Sequence, residues 1–218
     1  PIERFTYRAA GINHLTWFTD MKIDGKDVYP KLHDKLKESG FDKKEPISKQ
    51  LYDIYGLYPA PGDRHVGEFF PYYMKEEVLM EQDYEWKNND FKVVDGWREE
   101  ARVLFDEVRT KKEGYEEFLK GSGETATYFI RSLATGDISD EMVNVINNGY
   151  IDNVSSGIIV ELPTYIDEFG LHPQKIGKLP DAIAAQCDRL GREYLLMVEA
   201  AATCNYELAR QAMFLDPL

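Results

Sequence analysis

The sequence predicts one α+β domain that spans residues 1–218. Three observations predict this class. A strand-like alternation near the start is followed by segments with helical spacing, two further strand-like runs lie past the middle, and two long helical patterns close the chain. No internal repeat, low-complexity tract or linker divides the sequence, so a single domain is the simplest arrangement.

The first part of the chain mixes a predicted strand with predicted helices. Residues 3–10 alternate between aromatic and polar side chains, which predicts a strand that ends in a turn at Gly11. Residues 13–18 continue as extended or turn-like chain, and Asp24-Gly25 is typical of a hairpin turn. The apolar spacing that follows predicts a short helix that ends at Gly40.

A lysine- and proline-containing loop over 43–48 precedes a second helix, which ends at Gly56. Residues 57–73 contain three prolines, two glycines and many aromatic residues. This composition predicts a long loop without secondary structure of its own, of the kind that is more often functional than idle.

The second part is predicted to be mainly helical, with two strands. Residues 76–96 are acidic and aromatic and are predicted to be irregular. Helical spacing predicts a long helix from Trp97 towards Leu119 and a shorter one that ends at Gly136. Strand patterns then follow over 142–147 and 158–162, and helical patterns over 180–201 and 206–213.

Charge and cysteine content restrict the class of function. The 26 Lys and Arg residues against 39 Asp and Glu give a formal net charge of -13, which repels phosphate backbones and argues against general nucleic-acid binding. Cys187 and Cys204 lack metal or redox spacing, so we expect free thiols and a cytoplasmic location. The chain begins with Pro1 in structured-looking sequence, so we expect a piece of a longer polypeptide.

Two polar segments are candidates for chemistry. Ala10–Phe18 places an amide, an imidazole and a hydroxyl between apolar neighbours, directly after a predicted strand. Pro61–Pro71 places an acid, a guanidinium and an imidazole in a row on a loop bounded by Gly and Pro. Histidine is a common metal ligand and proton carrier, although a lone histidine in an apolar segment is more often a core residue. Neither segment is specific alone.

Together the two segments are specific. Gly11-Ile12-Asn13-His14, followed by Gly62-Asp63-Arg64-His65 and Glu68-Phe69, resembles glycoside hydrolase family 4, the NAD-dependent α-glucosidases, α-galactosidases and uronidases. The resemblance continues in order along nearly the whole chain, through Ser122-Gly123-Glu124, Asn144–Ile151, Val160–Pro163, Gly177–Pro180, Val198–Ala201 and Leu215–Leu218.

The resemblance implies a second domain. The family pairs an α+β substrate domain with an N-terminal Rossmann domain, an architecture related to that of lactate and malate dehydrogenases. No G-x-G-x-x-G fingerprint occurs in this sequence in a strand–helix context. We therefore expect this chain to be the C-terminal catalytic domain of such an enzyme, inactive alone, with the NAD-binding domain as its partner.

The resemblance also implies a mechanism, which is an exception to the two-carboxylate rule of glycosidases. Family members oxidise the C3 hydroxyl of the sugar by hydride transfer to NAD, which makes the C2 proton acidic. A base removes that proton, the glycosidic oxygen leaves by elimination, water adds, and the hydride returns. A divalent metal, usually Mn²⁺, polarises the C3 oxygen. NAD and Mn²⁺ are thus the expected cofactors.

Five residues receive roles from the resemblance. His14 is the expected metal ligand, and the family's cysteine ligand has no counterpart here. Asn13 is expected to hydrogen-bond a sugar hydroxyl near the metal, and Asp63 matches the position of the base that acts at C2. Arg64 and His65 are expected to hold substrate hydroxyls or a carboxylate, whose two oxygens suit the planar arginine fork.

The base and the sugar stay open at this stage. Other branches of the family use a tyrosine as the base, so Tyr55 and Tyr58 are alternatives to Asp63. Branches that act on 6-phosphosugars carry an Asn/Ser-Pro-x-Tyr-Leu-like segment where this sequence has Gly62–His65. This difference favours an unphosphorylated α-glycoside, namely an α-glucoside, an α-galactoside or an α-uronide.

Two other functions compete with this one. A hydroxyacid dehydrogenase has a related architecture but needs no metal, so metal dependence separates the two. A non-catalytic carbohydrate-binding or assembly module would bind sugar regardless of a chelator or of changes at Asp63.

Apolar stripes over 97–119 and 180–214 exceed what one small domain needs. Together with the tendency of the family to form dimers or tetramers, they predict a homo-oligomer.

Overall fold

One antiparallel sheet and the helices around it make up the computed structural model, which describes residues 4–74, 91–111, 115–116 and 125–216. The strands are β1 (Phe5–Ile12), β2 (Leu15–Ile23), β3 (Lys26–Asp27), β4 (Ser139–Ile146), β5 (Ile159–Asp167) and β6 (Gly170–Pro173). The helices are α1 (Tyr29–Ser39), α2 (Phe41–Lys44), α3 (Pro46–Tyr55), α4 (Asp63–Val66), α5 (Phe91–Lys111), α6 (Ala126–Thr135), α7 (Asp181–Thr203) and α8 (Tyr206–Leu215). The predicted mixed helix-and-sheet domain is therefore confirmed.

The sheet joins two hairpins that lie far apart in sequence. Its order is β3-β2-β1-β5-β4, and β6 pairs with the last four residues of β5. β1 meets β5 at the pair Gly11–Glu161, which places the closed end of the first hairpin beside the start of β5. This junction is where the polar segments of the sequence meet.

The core lies between the inner face of the sheet, α3 and α7. In β5 the buried Val160, Leu162 and Ile166 alternate with the exposed Ile159 and Tyr165, as expected of a strand covered on one side. Burying an aliphatic side chain of this size contributes about 1.5–3 kcal/mol. The buried set also contains Ala10, Ile12, Leu15, Trp17, Ile47, Leu51, Val66, Phe70, Ile158, Ile183, Cys187 and Leu190.

Both cysteines are free, as predicted. Burial raises the pKa of the Cys187 thiol to about 12, so this side chain is a protonated core residue at neutral pH. None of the helices in the described part of the chain has the length and apolar composition that crossing a membrane requires.

The strands differ from the prediction at three places. Gly11 lies inside β1 rather than at a turn, and the turn falls at Asn13-His14. β5 continues through Pro163 to Asp167, where the carbonyl of Pro163 accepts a hydrogen bond from the amide of Gln174, at 2.9 Å. β6 was not predicted, because its four residues are too few to show an alternation.

The helices also differ from the prediction. Residues 57–73 are not an unstructured loop, because they contain α4 and two short 3-10 turns at Gly67–Phe69 and Pro71–Tyr73. The predicted loop at 43–48 is shorter, since α2 ends at Lys44 and α3 begins at Pro46. The long helix starts at Phe91, inside the segment predicted to be irregular, and its predicted end near Leu119 lies outside the described residues, as do Ser122–Glu124.

Replacing Gly11 with alanine is expected to reduce the free energy of unfolding by about 2–4 kcal/mol. Gly11 has a φ of +154°, and an added Cβ would lie 2.3 Å from the carbonyl oxygen of Leu15 across the hairpin. Gly25→Ala is the matched control, because Gly25 has a φ of +73° but open space around it, and should cost about 1 kcal/mol. Urea unfolding measures both, and equal losses would contradict the steric explanation.

Candidate active site

The turn between β1 and β2 carries the first polar segment. Ile12 pairs with Leu15, so Asn13 and His14 alone form the connection. His14 has a φ of 65°, in the left-handed region, which residues other than glycine adopt uncommonly and in which asparagine, aspartate and histidine are enriched. A non-glycine residue in this region persists where its surroundings hold it, and such residues cluster at functional sites.

The chain after α3 brings the second polar segment to this turn. The amide of Phe18 donates to the carbonyl of Tyr58 at 2.9 Å, and the amide of Ala60 donates to the carbonyl of Thr16 at 2.8 Å. Residues 58–60 thus run along β2 as a short extra strand, and α4 begins three residues later, at Asp63. As a result the imidazole rings of His14 and His65 stack, with their centroids 4.3 Å apart and their planes at 30°.

A carboxylate from β5 completes the polar group. Oε2 of Glu161 accepts a hydrogen bond from Oγ1 of Thr16 at 2.5 Å, and Oε1 accepts one from Nδ2 of Asn13 at 3.3 Å. Glu161 faces away from the core, because its neighbours Val160 and Leu162 point inwards. The carboxylate therefore contacts both sides of the turn that carries His14.

These side chains line an open cleft of about 440 Å³ on the sheet face opposite the core. Asn13, His14, His65 and Glu161 supply its polar wall. Its remaining lining residues are Tyr7, Ala9, Thr16, Phe18, Ala60, Pro61 and Met142. A concave site with a few convergent polar groups and an aromatic wall can bind a sugar-sized ligand.

Asp63 lies next to this cleft but is not one of its lining residues. Its carboxylate is buried and accepts hydrogen bonds from the amides of Ile47 and Ser48, at 2.8 and 2.7 Å, at the N-terminus of α3. Its own amide donates to Oε2 of Glu45 at 2.6 Å. Burial and the neighbouring Asp63 charge raise the pKa of Glu45. The structure thus gives Asp63 a structural task at the start of α3 and fixes the direction of its carboxylate.

The remaining predicted residues divide into two groups. Arg64 lies in α4, and its side chain is outside the part of the chain that the structure describes. Tyr55 packs edge-on against Trp17, with ring centroids 5.3 Å apart. Burial raises the pKa of the Tyr58 phenol well above its usual value, so its tyrosinate form is costly. Of the two alternative bases, Tyr58 is therefore the weaker candidate.

The described residues contain no group of three or more His, Cys, Asp and Glu side chains placed to hold a metal ion. His14 lines the cleft beside Asn13. Its imidazole is an acceptable ligand for a manganese-type ion. The donor set in the described residues therefore fits one ligand of such a metal and requires the others from elsewhere.

The sequence analysis did not assign Glu161 or Thr16. Glu161 is a charged residue inside the apolar run Ile158–Pro163. Because a buried strand rarely contains a charge without a partner, this position could have indicated a specific polar contact. Thr16 gave no such signal, because threonine is common in strands and its contact depends on long-range pairing.

Comparisons with known proteins agree with the motifs. The model of the family 4 glycosyl hydrolase C-terminal domain matches residues 9–218. An α-galactosidase of Bacillus subtilis is 30% identical over 96% of this chain and 49% of its own length. An α-galacturonidase of Thermoanaerobacterium saccharolyticum is 31% identical over 100% of this chain and 50% of its own length. The chain thus spans about half the length of these curated relatives.

Relatives named for phosphorylated sugars are more distant. A 6-phospho-beta-glucosidase of Thermotoga maritima is 27% identical over 95% of this chain and 49% of its own length. Among crystal structures, that of the Bacillus subtilis protein LplD superposes with a TM-score of 0.86 and 25% identity, covering 99% of this chain and 52% of that one. The Thermotoga maritima enzyme with manganese, NAD+ and glucose-6-phosphate shares the fold, with a TM-score of 0.71, 23% identity, and coverage of 100% of this chain and 51% of that one.

Proposed function

Because this chain belongs to glycosyl hydrolase family 4, as its C-terminal domain, we propose that the protein containing it hydrolyses the O-glycosidic bond of unphosphorylated α-glycosides with NAD and Mn²⁺. The observation that carries the proposal is the cleft in which the Asn13-His14 turn contacts His65. Residues 58–60 bring together two motifs that are 51 positions apart in the chain (65 − 14), as a shared ligand would require.

In the proposed reaction the residues of this chain bind and orient the sugar. Asn13 donates a hydrogen bond to a hydroxyl of the substrate, and His65 and Arg64 hold further hydroxyls or a carboxylate. The aromatic residues Tyr7 and Phe18 line the cleft and offer faces against which a sugar ring packs. Together these contacts hold the sugar carbons within reach of the reacting groups.

We assign the removal of the C2 proton to Asp63. Its two amide contacts occupy part of its acceptor capacity, since a carboxylate has about four lone-pair sites. The remaining sites can take a proton from a substrate that reaches Asp63 from the part of the cleft lined by Pro61 and His65, which flank it in sequence. The fixed carboxylate orientation favours this role, because a general base must lie within hydrogen-bond reach of the proton that it removes. Tyr55 is the alternative base.

His14 would hold the metal, with further ligands and the NAD site contributed from outside the described residues. When bound, the metal and NAD supply a Lewis acid at the C3 oxygen and a hydride acceptor. His14 itself contributes an imidazole nitrogen that the strained turn directs into the cleft.

The substrate class is proposed from the similarity to enzymes of neutral and acidic sugars. The relatives named α-galactosidase and α-galacturonidase are more similar to this chain than those named for phosphorylated sugars. An α-galactoside or an α-galacturonide is therefore the first choice, and an α-glucoside the second. A uronide would place its carboxylate near Arg64 and His65.

Turnover of p-nitrophenyl α-glycosides by the full-length protein is expected to require both NAD and Mn²⁺. A panel of the α-glucoside, the α-galactoside and the corresponding uronides, with each cofactor added or withheld, measures this requirement. Removing either cofactor should reduce the rate at least about a hundredfold, since each supplies a group that the chemistry needs.

Two outcomes would contradict the proposal. NAD-dependent oxidation of a hydroxy acid that needs no metal, in place of glycoside turnover, would favour the hydroxyacid dehydrogenase type of domain. Sugar binding without turnover, unchanged by EDTA and by Asp63→Ala, would favour a carbohydrate-binding module.

Self-association is a further part of the proposal, supported by the exposed apolar side chains on α7 and α8, which include Met197, Val198, Tyr206, Met213 and Phe214.

A further inference from the structure

We propose that Glu161 is a positioning residue, whose carboxylate holds the Asn13-His14 turn in the conformation that presents His14 to the cleft. The proposal rests on the proposed function for the task of His14, but the conformation that it concerns can be measured without any activity. Glu161 belongs to β5, whereas the turn joins β1 to β2, so the contact crosses between the two hairpins.

The first argument is that the turn is strained and needs a restraint. His14 adopts a φ of 65° without the conformational freedom of glycine. Gly11 brings the two strands close enough that a Cβ would lie 2.3 Å from the Leu15 carbonyl oxygen, so the turn is also tight. A strained backbone of this kind persists when neighbouring groups over-determine it.

The second argument is that Glu161 contacts the turn on both sides of His14. Oε1 accepts from the residue before it, Asn13, and Oε2 accepts from Thr16, two residues after it. Thr16 is 3% exposed, and its hydroxyl also lies 3.3 Å from the carbonyl of Ile12 at the base of the turn. Because one side chain accepts hydrogen bonds from both sides of the turn, its position restrains the whole connection.

The third argument is register. Glu161 is the residue of β5 that pairs with Gly11, and Gly11 pairs with Thr16 across the first hairpin. A shift of β5 by one residue would turn Glu161 into the core and Val160 or Leu162 towards the turn. The apolar residues that bury β5 therefore also set the position of the carboxylate.

The test compares Glu161→Ala and Glu161→Gln in the full-length protein, by ¹⁵N–¹H NMR of labelled histidine rings and by Mn²⁺ binding followed by EPR. His14→Gln identifies the His14 resonances. Glu161→Ala should shift them and weaken Mn²⁺ binding about 10- to 100-fold, as is usual for the loss of a group that orients a metal ligand. Glu161→Gln should restore both, because the Asn13 amide can turn to accept from the new amide.

Glu168→Gln is the matched control, because Glu168 is an exposed acid in the turn after β5, and it should change neither measurement. If Glu161→Ala does not fold, Thr16→Val takes its place, since it removes one of the two bonds and should shift the His14 resonances in the same direction. Wild-type His14 resonances in a folded Glu161→Ala or Thr16→Val protein would overturn the proposal. So would a Glu161→Gln protein as impaired as Glu161→Ala, because the charge rather than the position would then matter.

Failure of the proposed function gives a different result. An enzyme without NAD- and Mn²⁺-dependent turnover would leave the comparison of His14 resonances intact. Shifted resonances in that protein would support the positioning role of Glu161 and separate it from the identity of the reaction.

Discussion

Replacing Asp63 with asparagine in the full-length protein is expected to reduce turnover of the preferred glycoside about a thousandfold, the middle of the range for the loss of a general base. The asparagine oxygen can still accept one of the two amide hydrogen bonds from Ile47 and Ser48, so the start of α3 is largely retained. The loss should therefore appear in kcat, while the free energy of unfolding falls by about 1–3 kcal/mol because the asparagine NH2 group leaves the second amide without an acceptor.

Asp63→Ala separates the two tasks of this side chain. It leaves the buried amides of Ile47 and Ser48 without an acceptor, which should cost about 2–4 kcal/mol of stability. Asp53→Asn, on the same helix, is the control, because Asp53 contacts Lys49 at the surface and such pairs contribute little. If Asp63→Asn turned over within about twofold of wild type, a change too small for the loss of a general base, Tyr55 would become the first candidate for the base.

Replacing Asn147 with aspartate is expected to reduce the free energy of unfolding by about 3–5 kcal/mol, although the two side chains have the same shape. Asn147 is 0% exposed. Its Nδ2 donates to the carbonyls of Ile151 and Val154 at 3.1 and 2.7 Å, and its Oδ1 accepts from the amide of Ile151 at 3.0 Å. A carboxylate in this place would direct negative charge at carbonyl oxygens that have lost their donor.

The loss should shrink in acid, because a protonated carboxyl group can donate one of the two hydrogen bonds. Thermal unfolding at neutral and acidic pH measures this effect. Asn148→Asp is the control, since Asn148 is exposed beside it, and a surface change of this kind should stay within about 0.5 kcal/mol. Equal losses at 147 and 148 would show that the buried amide network is not what holds this turn.

The sequence predicted those parts of the fold that depend on neighbouring residues. Gly40, Gly56 and Gly136 each end a helix in the left-handed conformation, at φ of 68°, 75° and 78°, as their positions after apolar runs predicted. The Asp24-Gly25 turn was also correct. Where the outcome depends on distant pairing, as in β6 or the continuation of β5 past Pro163, local patterns did not suffice.

The candidate site shows the same division. The residue types at Asn13, His14 and His65 indicated chemistry, and the structure brings them into one cleft. The position of Asp63 at the N-terminus of α3 was not predicted. Its hydrogen bonds to the amides of Ile47 and Ser48 depend on how the chain folds back, which the residues next to Asp63 do not indicate. The contribution of Glu161 depends on the pairing of β1 with β5, which no short-range pattern encodes.

The contact between Glu161 and the first hairpin also constrains how the chain folds. Glu161 lies 145 positions after Thr16 and 148 positions after Asn13 in the sequence. Closing a segment of that length costs about 4 kcal/mol of chain entropy. The β1–β2 hairpin is local and can form early, whereas the cleft exists only after the second hairpin has docked on it. During synthesis, a chain that ends before β5 would already carry the Asn13-His14 turn but would lack the Glu161 side of the cleft, so binding of the proposed sugar would report completed assembly of the sheet.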